Sequence, residues 1–139
     1  MKRTAGPARK PMRSRYRSTG PTPEVVGIVA RRDQGSCAYC AGEILGERGW
    51  DWSVQHRLRR GGGGTEREFV NLAGNLVLLH GSGTTKCHGL VEGNPAWARE
   101  HGFRVDDGIV LPAATPIAHA VHGRVLLDDE GGWTPCESS

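Results

Sequence analysis

WSVQHR, residues 52–57, is the stretch of sequence around which the rest of the chain is organised. Apolar or aromatic residues alternate with polar ones up to His56, and this period of two predicts a β-strand. A loop is predicted next, because the glycine run 61–64 would lose too much conformational freedom in a helix or a strand. The apolar run from Asn75 to His80 predicts a second strand after that loop.

Helices are predicted on both sides of these strands. Upstream, Thr22-Pro23 supplies a cap and a proline suited to the first helical position, and Gly35 ends the helix. Downstream, a short helix is predicted over 87–92, and Asn94-Pro95 begins another that Gly102 closes. Short strands are predicted beyond it at 103–105, 109–111, 117–121 and 124–127. The acidic, glycine-containing final residues are expected to fray.

The length indicates one domain with tails, and the predicted helices and strands place it in the α+β class. The 139 residues have a net charge of +3, yet residues 1–17 hold seven Lys or Arg and no acid. Residues 105–139 hold six acids and one base. The chain is therefore predicted to comprise a disordered basic arm at 1–22, a domain at 23–104 and a β-rich C-terminal extension at 105–139.

The sequence lacks the usual signals of membrane or secreted proteins. No apolar run approaches the ~20 residues that span a bilayer, and no apolar segment follows the basic N-terminus. The four cysteines, three clustered and one apart, do not suggest a disulfide framework. A cytoplasmic location is expected, where a Cys-x-x-Cys pair indicates metal or redox chemistry.

A zinc site is predicted from Cys37 and Cys40, whose spacing supplies two corners of a tetrahedron. His80 and Cys87, joined by a six-residue linker, are the candidates for the second pair. They would complete a Cys3His set, an ordinary composition for structural zinc. His88 is the alternative fourth ligand, although neighbouring side chains seldom face one metal. A thiol redox pair is the competing interpretation, which the lack of a βαβ pattern disfavours.

The order His56, Asn75, His88 accompanies these metal-binding pairs. In this respect residues 37–92 resemble the HNH endonuclease family, and most of all the small HNH proteins encoded by bacteriophages of actinobacteria. The motifs that carry the resemblance are Cys37-x-x-Cys40, Val54-Gln55-His56-Arg57, the glycine run 61–64, Asn75-Leu-Val-Leu-Leu79, Gly-Ser-Gly-Thr-Thr at 81–85, and Cys87-His88. The resemblance implies a small ββα-metal core held by a structural zinc, and a hydrolase that cuts phosphodiester bonds in DNA.

The resemblance also implies roles for single residues. His56 corresponds to the general base, Asn75 to the residue that orients its loop, and His88 to a ligand of the catalytic ion, Mg²⁺ or another divalent cation. Asn71 competes with Asn75, which is preferred because it opens the second strand. Glu92 lies four residues after His88 on the same helix face, so that its carboxylate could reach the same ion. The alternative for Glu92 is a solvated helix residue.

Gln55 departs from the family pattern, in which Asp or His precedes the base and binds the catalytic ion. Glutamine offers that ion only a neutral carbonyl oxygen. Either the enzyme is weaker or more metal-selective, or the protein has lost cleavage and serves as a zinc-stabilised DNA-binding accessory module. His80 is a second departure, because relatives often have cysteine there.

Arg57, Arg59 and Arg60 follow the base directly. Guanidinium groups match phosphate oxygens, so this cluster is the predicted clamp on the DNA backbone, with an exposed charged loop as the alternative. The basic arm suits the same polyanion, unless it is only a solubilising tail. Double-stranded DNA is the expected partner, and the resemblance adds a phage packaging complex. Residues for which the sequence suggests no site are Trp50, Trp52, Trp97, His101, His119, His122 and Cys136.

Overall fold

The computed structural model describes residues 20–59, 68–106 and 110–136, and within them the fold is mixed α+β. The helices are α1 (Pro23–Arg32), α2 (Lys86–Glu92) and α3 (Pro95–Glu100). The strands are β1 (Trp52–His56), β2 (Leu76–His80), β3 (Ile117–His119), β4 (Gly123–Leu127) and β5 (Trp133–Pro135). Most of the predicted basic arm, Arg60 and the glycine run 61–64 lie outside the described residues.

Capping residues set the helix boundaries where the sequence predicts them. At the start of α1, the Thr22 hydroxyl accepts a hydrogen bond from the amide of Val25 at 3.2 Å. At the start of α3, Asn94 Oδ1 accepts from the amide of Trp97 at 3.4 Å. Gly102 follows the end of α3 with a φ of +83°, which glycine adopts without strain. In the described part of the chain, no helix is long and apolar enough to span a membrane.

Strands β1 and β2 pair antiparallel, with Trp52 opposite His80 and His56 opposite Leu76. The first four residues of β2 are buried on both faces, which explains their continuous apolar sequence. The two faces pack on different elements: Leu76 and Leu78 with Val29 of α1, and Val77 and Leu79 with Val91 of α2. Because α2 follows β2 after a short turn, the central order is strand, strand, helix.

The C-terminal strands complete the main core. They form one antiparallel sheet in the order β3, β4, β5. Ile117, Val125 and Leu127 are fully buried in the cluster that contains Cys37 and Leu79. The segment predicted as an extension at 105–139 therefore shares its core with the central strands.

Two strand predictions differ from the structure. Residues 103–105 form no strand, because the side chain of Phe103 is buried in the core and its carbonyl accepts a side-chain hydrogen bond from Gln55. Part of 109–111 lies outside the described residues, and Leu111 leads into a 3₁₀ turn that begins at a proline. β5 lies where fraying is expected, and it pairs with β4.

A buried ion cluster joins α1 to the C-terminal sheet. Arg32 donates to both carboxylate oxygens of Asp33 at 2.7 Å and to two backbone carbonyls near the start of β2. His119 Nε2 and His122 Nε2 lie 3.0 and 3.1 Å from the same carboxylate. Burial alone would raise the pKa of Asp33, but Arg32 and His119 lower it to about 2. Because Arg32 already engages both oxygens, we interpret the cluster as an ion-pair network, not a cation site.

Candidate metal centre and active site

Four side chains converge beside the start of α2. The sulfur and nitrogen atoms of Cys37, Cys40, His80 and Cys87 that could bind a metal all lie within 4.8 Å of one another. His80 Nδ1 is 3.3 Å from Cys40 Sγ and 3.8 Å from Cys87 Sγ. This compact Cys3His group is compatible with a metal such as zinc.

Hydrogen bonds with the backbone orient three of these side chains, those of Cys37, Cys40 and His80. The amides two residues after Cys37 and Cys40 donate to their sulfur atoms, each at 3.4 Å. His80 Nε2 lies 2.9 Å from the carbonyl oxygen of Glu43, so Nε2 must donate the proton. The acceptor nitrogen of the neutral ring is then Nδ1, which faces the sulfurs. Contacts of this kind are typical of the surroundings of a bound metal.

The thiols of the group do not ionise independently. Burial and the negative charge of Cys37 raise the pKa of Cys87 to about 12. Burial opposes ionisation of Cys40 as well, but hydrogen bonds from Gly42 and the neighbouring thiols lower its pKa. Three thiolates in so small a volume require a compensating cation, which a divalent metal supplies.

His88 points away from the Cys3His group and toward β1. Its Nδ1 lies 2.6 Å from Ser53 Oγ, and its Nε2 lies 3.5 Å from Glu92 Oε2. The contact with His88 and the charge of Arg59 lower the pKa of Glu92, against the effect of burial, so the side chain is a carboxylate at neutral pH. His80 therefore completes the Cys3His group, and His88 belongs to a second site.

His56 contacts Asn71 directly. His56 Nε2 lies 2.8 Å from Asn71 Oδ1. Because an amide oxygen only accepts, Nε2 carries the proton, and the acceptor nitrogen of the neutral ring is Nδ1. Asn71 thus holds the neutral ring in the tautomer whose acceptor nitrogen is Nδ1.

Asn75 is buried and holds the chain that follows His56. Its Oδ1 accepts from the amide of Leu58 at 2.7 Å, and its Nδ2 donates to the carbonyls of Leu58 and Val70 at 3.0 and 2.8 Å. The sequence offers Asn71 and Asn75 as alternatives for one role. In the structure they have two: Asn75 fixes the loop, and Asn71 holds the imidazole.

Gln55 is buried beside His56 with one end of its amide unsatisfied. Its Nε2 donates to the carbonyl of Phe103 at 2.7 Å, whereas its Oε1 has no hydrogen-bond partner among the residues that the structure describes. Gln55 lines a cleft with His56, Arg59 and Glu92, and this cleft of about 10 Å³ has room for about one water or ion. A buried acceptor without a donor marks a position where a water or a cation is expected.

Arg57 does not reach the surface. Its guanidinium is fully buried and donates to five backbone carbonyls at 2.6–3.5 Å, those of Gly74, Gly102, Pro112, Thr115 and Pro116. The phosphate-binding role predicted for Arg57 therefore does not hold. The side chain of Arg59 is 58% exposed, and its Nη2 donates to Glu92 Oε1 at 2.7 Å. Arg60 is outside the described residues.

No model of a protein family, no curated protein and no solved structure matches the chain. The resemblance to HNH endonucleases therefore stays a prediction, and the site is interpreted from its geometry. Ser53 is the contact that sequence reasoning missed. The sequence could have indicated this contact, because Ser53 lies two residues before Gln55 and therefore on the same face of the strand.

Proposed function

We propose that the protein is a metal-dependent endonuclease of the HNH type, a hydrolase that cuts phosphodiester bonds in double-stranded DNA. The observation that carries the proposal is the meeting of Gln55, His56 and Glu92 in one cleft, with His88 beside Glu92. The order β1, β2, α2 supports a ββα-metal core, in which β1 supplies Gln55 and His56 to the cleft and α2 supplies Glu92.

The side chains at the cleft fit a divalent cation. Nε2 of His88 and Oε2 of Glu92 lie 3.5 Å apart. An imidazole nitrogen and a carboxylate oxygen at this separation could bind one divalent cation together. The unsatisfied oxygen of Gln55 offers a third, neutral ligand. Mg²⁺ tolerates such a small set of protein ligands because it keeps several waters.

In the proposed reaction, each side chain has a defined task. His56 Nδ1 takes the proton of the attacking water while Asn71 holds the opposite edge of the ring. Arg59, largely exposed, offers its remaining donors to a phosphate oxygen. His88, Glu92 and Gln55 would hold the divalent ion, which would supply positive charge for the phosphate and for the leaving 3′ oxygen.

The Cys3His group is proposed to hold a structural Zn²⁺. Its ligands come from the turn at Cys37 and Cys40, the end of β2 and the start of α2. A metal there would fix α2, which carries His88 and Glu92, to the end of β2, and the partner strand of β2 is β1, which carries His56. The zinc therefore shapes the active site without taking part in the reaction.

A nicking assay on supercoiled plasmid with Mg²⁺, Mn²⁺ or Ni²⁺ tests the function. His56→Ala is expected to lower the rate by about 100- to 10,000-fold, because the general base is lost. His101→Ala is the matched control, since His101 stacks on Trp97 outside the cleft. If His56→Ala cuts as fast as the wild type, the proposed mechanism is wrong.

A second candidate is a DNA-binding accessory module without cleavage, for example in a phage packaging complex. Two observations favour it: Gln55 is neutral, and Arg59 already engages one oxygen of Glu92 at 2.7 Å. Both features weaken the attraction of the cleft for a cation. Salt-sensitive binding to duplex DNA, with no cutting under any divalent ion, would favour this candidate over the enzyme.

The substitution Gln55→Asp is expected to raise Mg²⁺ affinity and cutting, by roughly tenfold or more, because a carboxylate replaces a neutral oxygen at the ion. Gln55→Asn is the control, because asparagine has the size of aspartate without its charge. Ion titrations of the nicking rate measure both. Equal behaviour of the two variants would show that residue 55 does not bind the ion.

A further inference from the structure

The hydroxyl of Ser53 lies between β2's end and α2. Its oxygen is 2.7 Å from the carbonyl oxygen of Gly81 and 2.6 Å from Nδ1 of His88. Both distances are those of short hydrogen bonds. Each contact therefore needs a proton between its two heavy atoms.

Only one assignment of protons satisfies both contacts. The carbonyl of Gly81 has no proton, so the Ser53 hydroxyl must donate to it. The hydroxyl has no second proton to offer, and the proton of the other contact must come from Nδ1 of His88. In the neutral imidazole, Nε2 then carries the lone pair.

The spacing of strand and helix places this contact beside the proposed ion site. Ser53 and Gln55 are two residues apart on β1, an advance of about 6.6 Å. His88 and Glu92 are four residues apart on α2, an advance of about 6 Å. The two advances are nearly equal. Ser53 therefore faces His88, while Gln55 and Glu92, one step further along each element, line the cleft.

We infer that Ser53 is a positioning residue, which holds His88 in the Nδ1–H tautomer and turns its acceptor nitrogen Nε2 toward the ion. This inference rests on the proposed function, because the tautomer has a role only where His88 binds a catalytic ion. Ser53 does not touch the ion or the substrate. It acts through the ring of His88, as hydrogen-bond partners of metal-binding histidines commonly do.

The tautomer can be observed directly by long-range ¹H–¹⁵N NMR on zinc-loaded protein, free of other divalent ions, at mildly alkaline pH. The wild type is expected to show the Nδ1–H form of His88. In Ser53→Ala, the Nε2–H form should appear, and the affinity for Mn²⁺, measured by calorimetry, should fall by about tenfold. Ser53→Thr keeps a hydroxyl and should restore both. Ser36→Ala is the control, because the Ser36 hydroxyl donates to the Gln34 carbonyl at 3.4 Å and not to His88.

The outcomes separate this inference from the nuclease proposal. An Nε2–H form in the wild type, or an Ser53→Ala protein with unchanged tautomer and Mn²⁺ affinity, overturns the inference even if DNA is cut. The expected shifts support it even if no DNA is cut, a result that would count only against the nuclease. If Ser53→Ala does not fold by circular dichroism, the wild type and Ser53→Thr spectra decide.

Discussion

A strong chelator is expected to unfold the protein completely. The four side chains of the Cys3His group join the turn at 37–40, the end of β2 and the start of α2. Cys37 is itself part of the main core. Without a metal, these segments lose the cation that joins them, and the thiol of Cys87 keeps its proton because its pKa is raised to about 12. Structural zinc contributes about 10–16 kcal/mol in small domains, as much as the whole stability of a typical domain at about 5–15 kcal/mol.

Circular dichroism and zinc content, measured on the same samples during chelation, check this prediction. Both signals are expected to fall together and to return when Zn²⁺ is added. Cys87→Ser should lose the metal and the fold, whereas Cys136→Ser should keep them, because Cys136 lies outside the group. A chelated protein that keeps its spectrum and melting temperature would show that no structural metal holds the fold.

Local signals made much of the fold predictable. The caps at Thr22 and Asn94 depend on neighbouring residues alone, and they set the starts of α1 and α3. The period of two and the apolar run located β1 and β2 to within two residues. The cysteine spacing indicated the metal-binding group, because a tetrahedral site constrains its ligands strongly.

Contacts between distant segments were not predictable. Arg57 bonds to carbonyls up to 59 residues away, and a sequence does not distinguish such an arginine from exposed Arg59. Asp33 likewise contacts His119 and His122, which are more than 80 residues away in the sequence, because the tertiary fold brings the end of α1 next to the C-terminal sheet. The resemblance assigned roles by position in the sequence. It therefore pointed to the residues of the cleft, but it did not predict which side chains are buried.

Arg57→Lys is expected to destabilise the fold strongly, although it conserves the charge. The arginine donates five hydrogen bonds to backbone carbonyls of three separate segments, and lysine has three donors on a point charge. At least two buried carbonyls would be left without partners, at about 1–3 kcal/mol each. Burial and the charge of Arg32 already lower the pKa of Arg57 to about 9. A cation with fewer hydrogen bonds at this position would therefore destabilise the folded protein.

Thermal unfolding of the zinc-loaded protein measures the effect, with a loss of about 3–5 kcal/mol expected. Arg59→Lys is the matched control, because the same change two residues away removes one exposed hydrogen bond and should cost less than about 1 kcal/mol. The loss should extend to the proposed active site, since the backbone of Arg57 also bonds to Asn75 and Val105. Equal melting temperatures for the two variants would show that lysine satisfies the same carbonyls and that the fold does not depend on the five donors of the arginine.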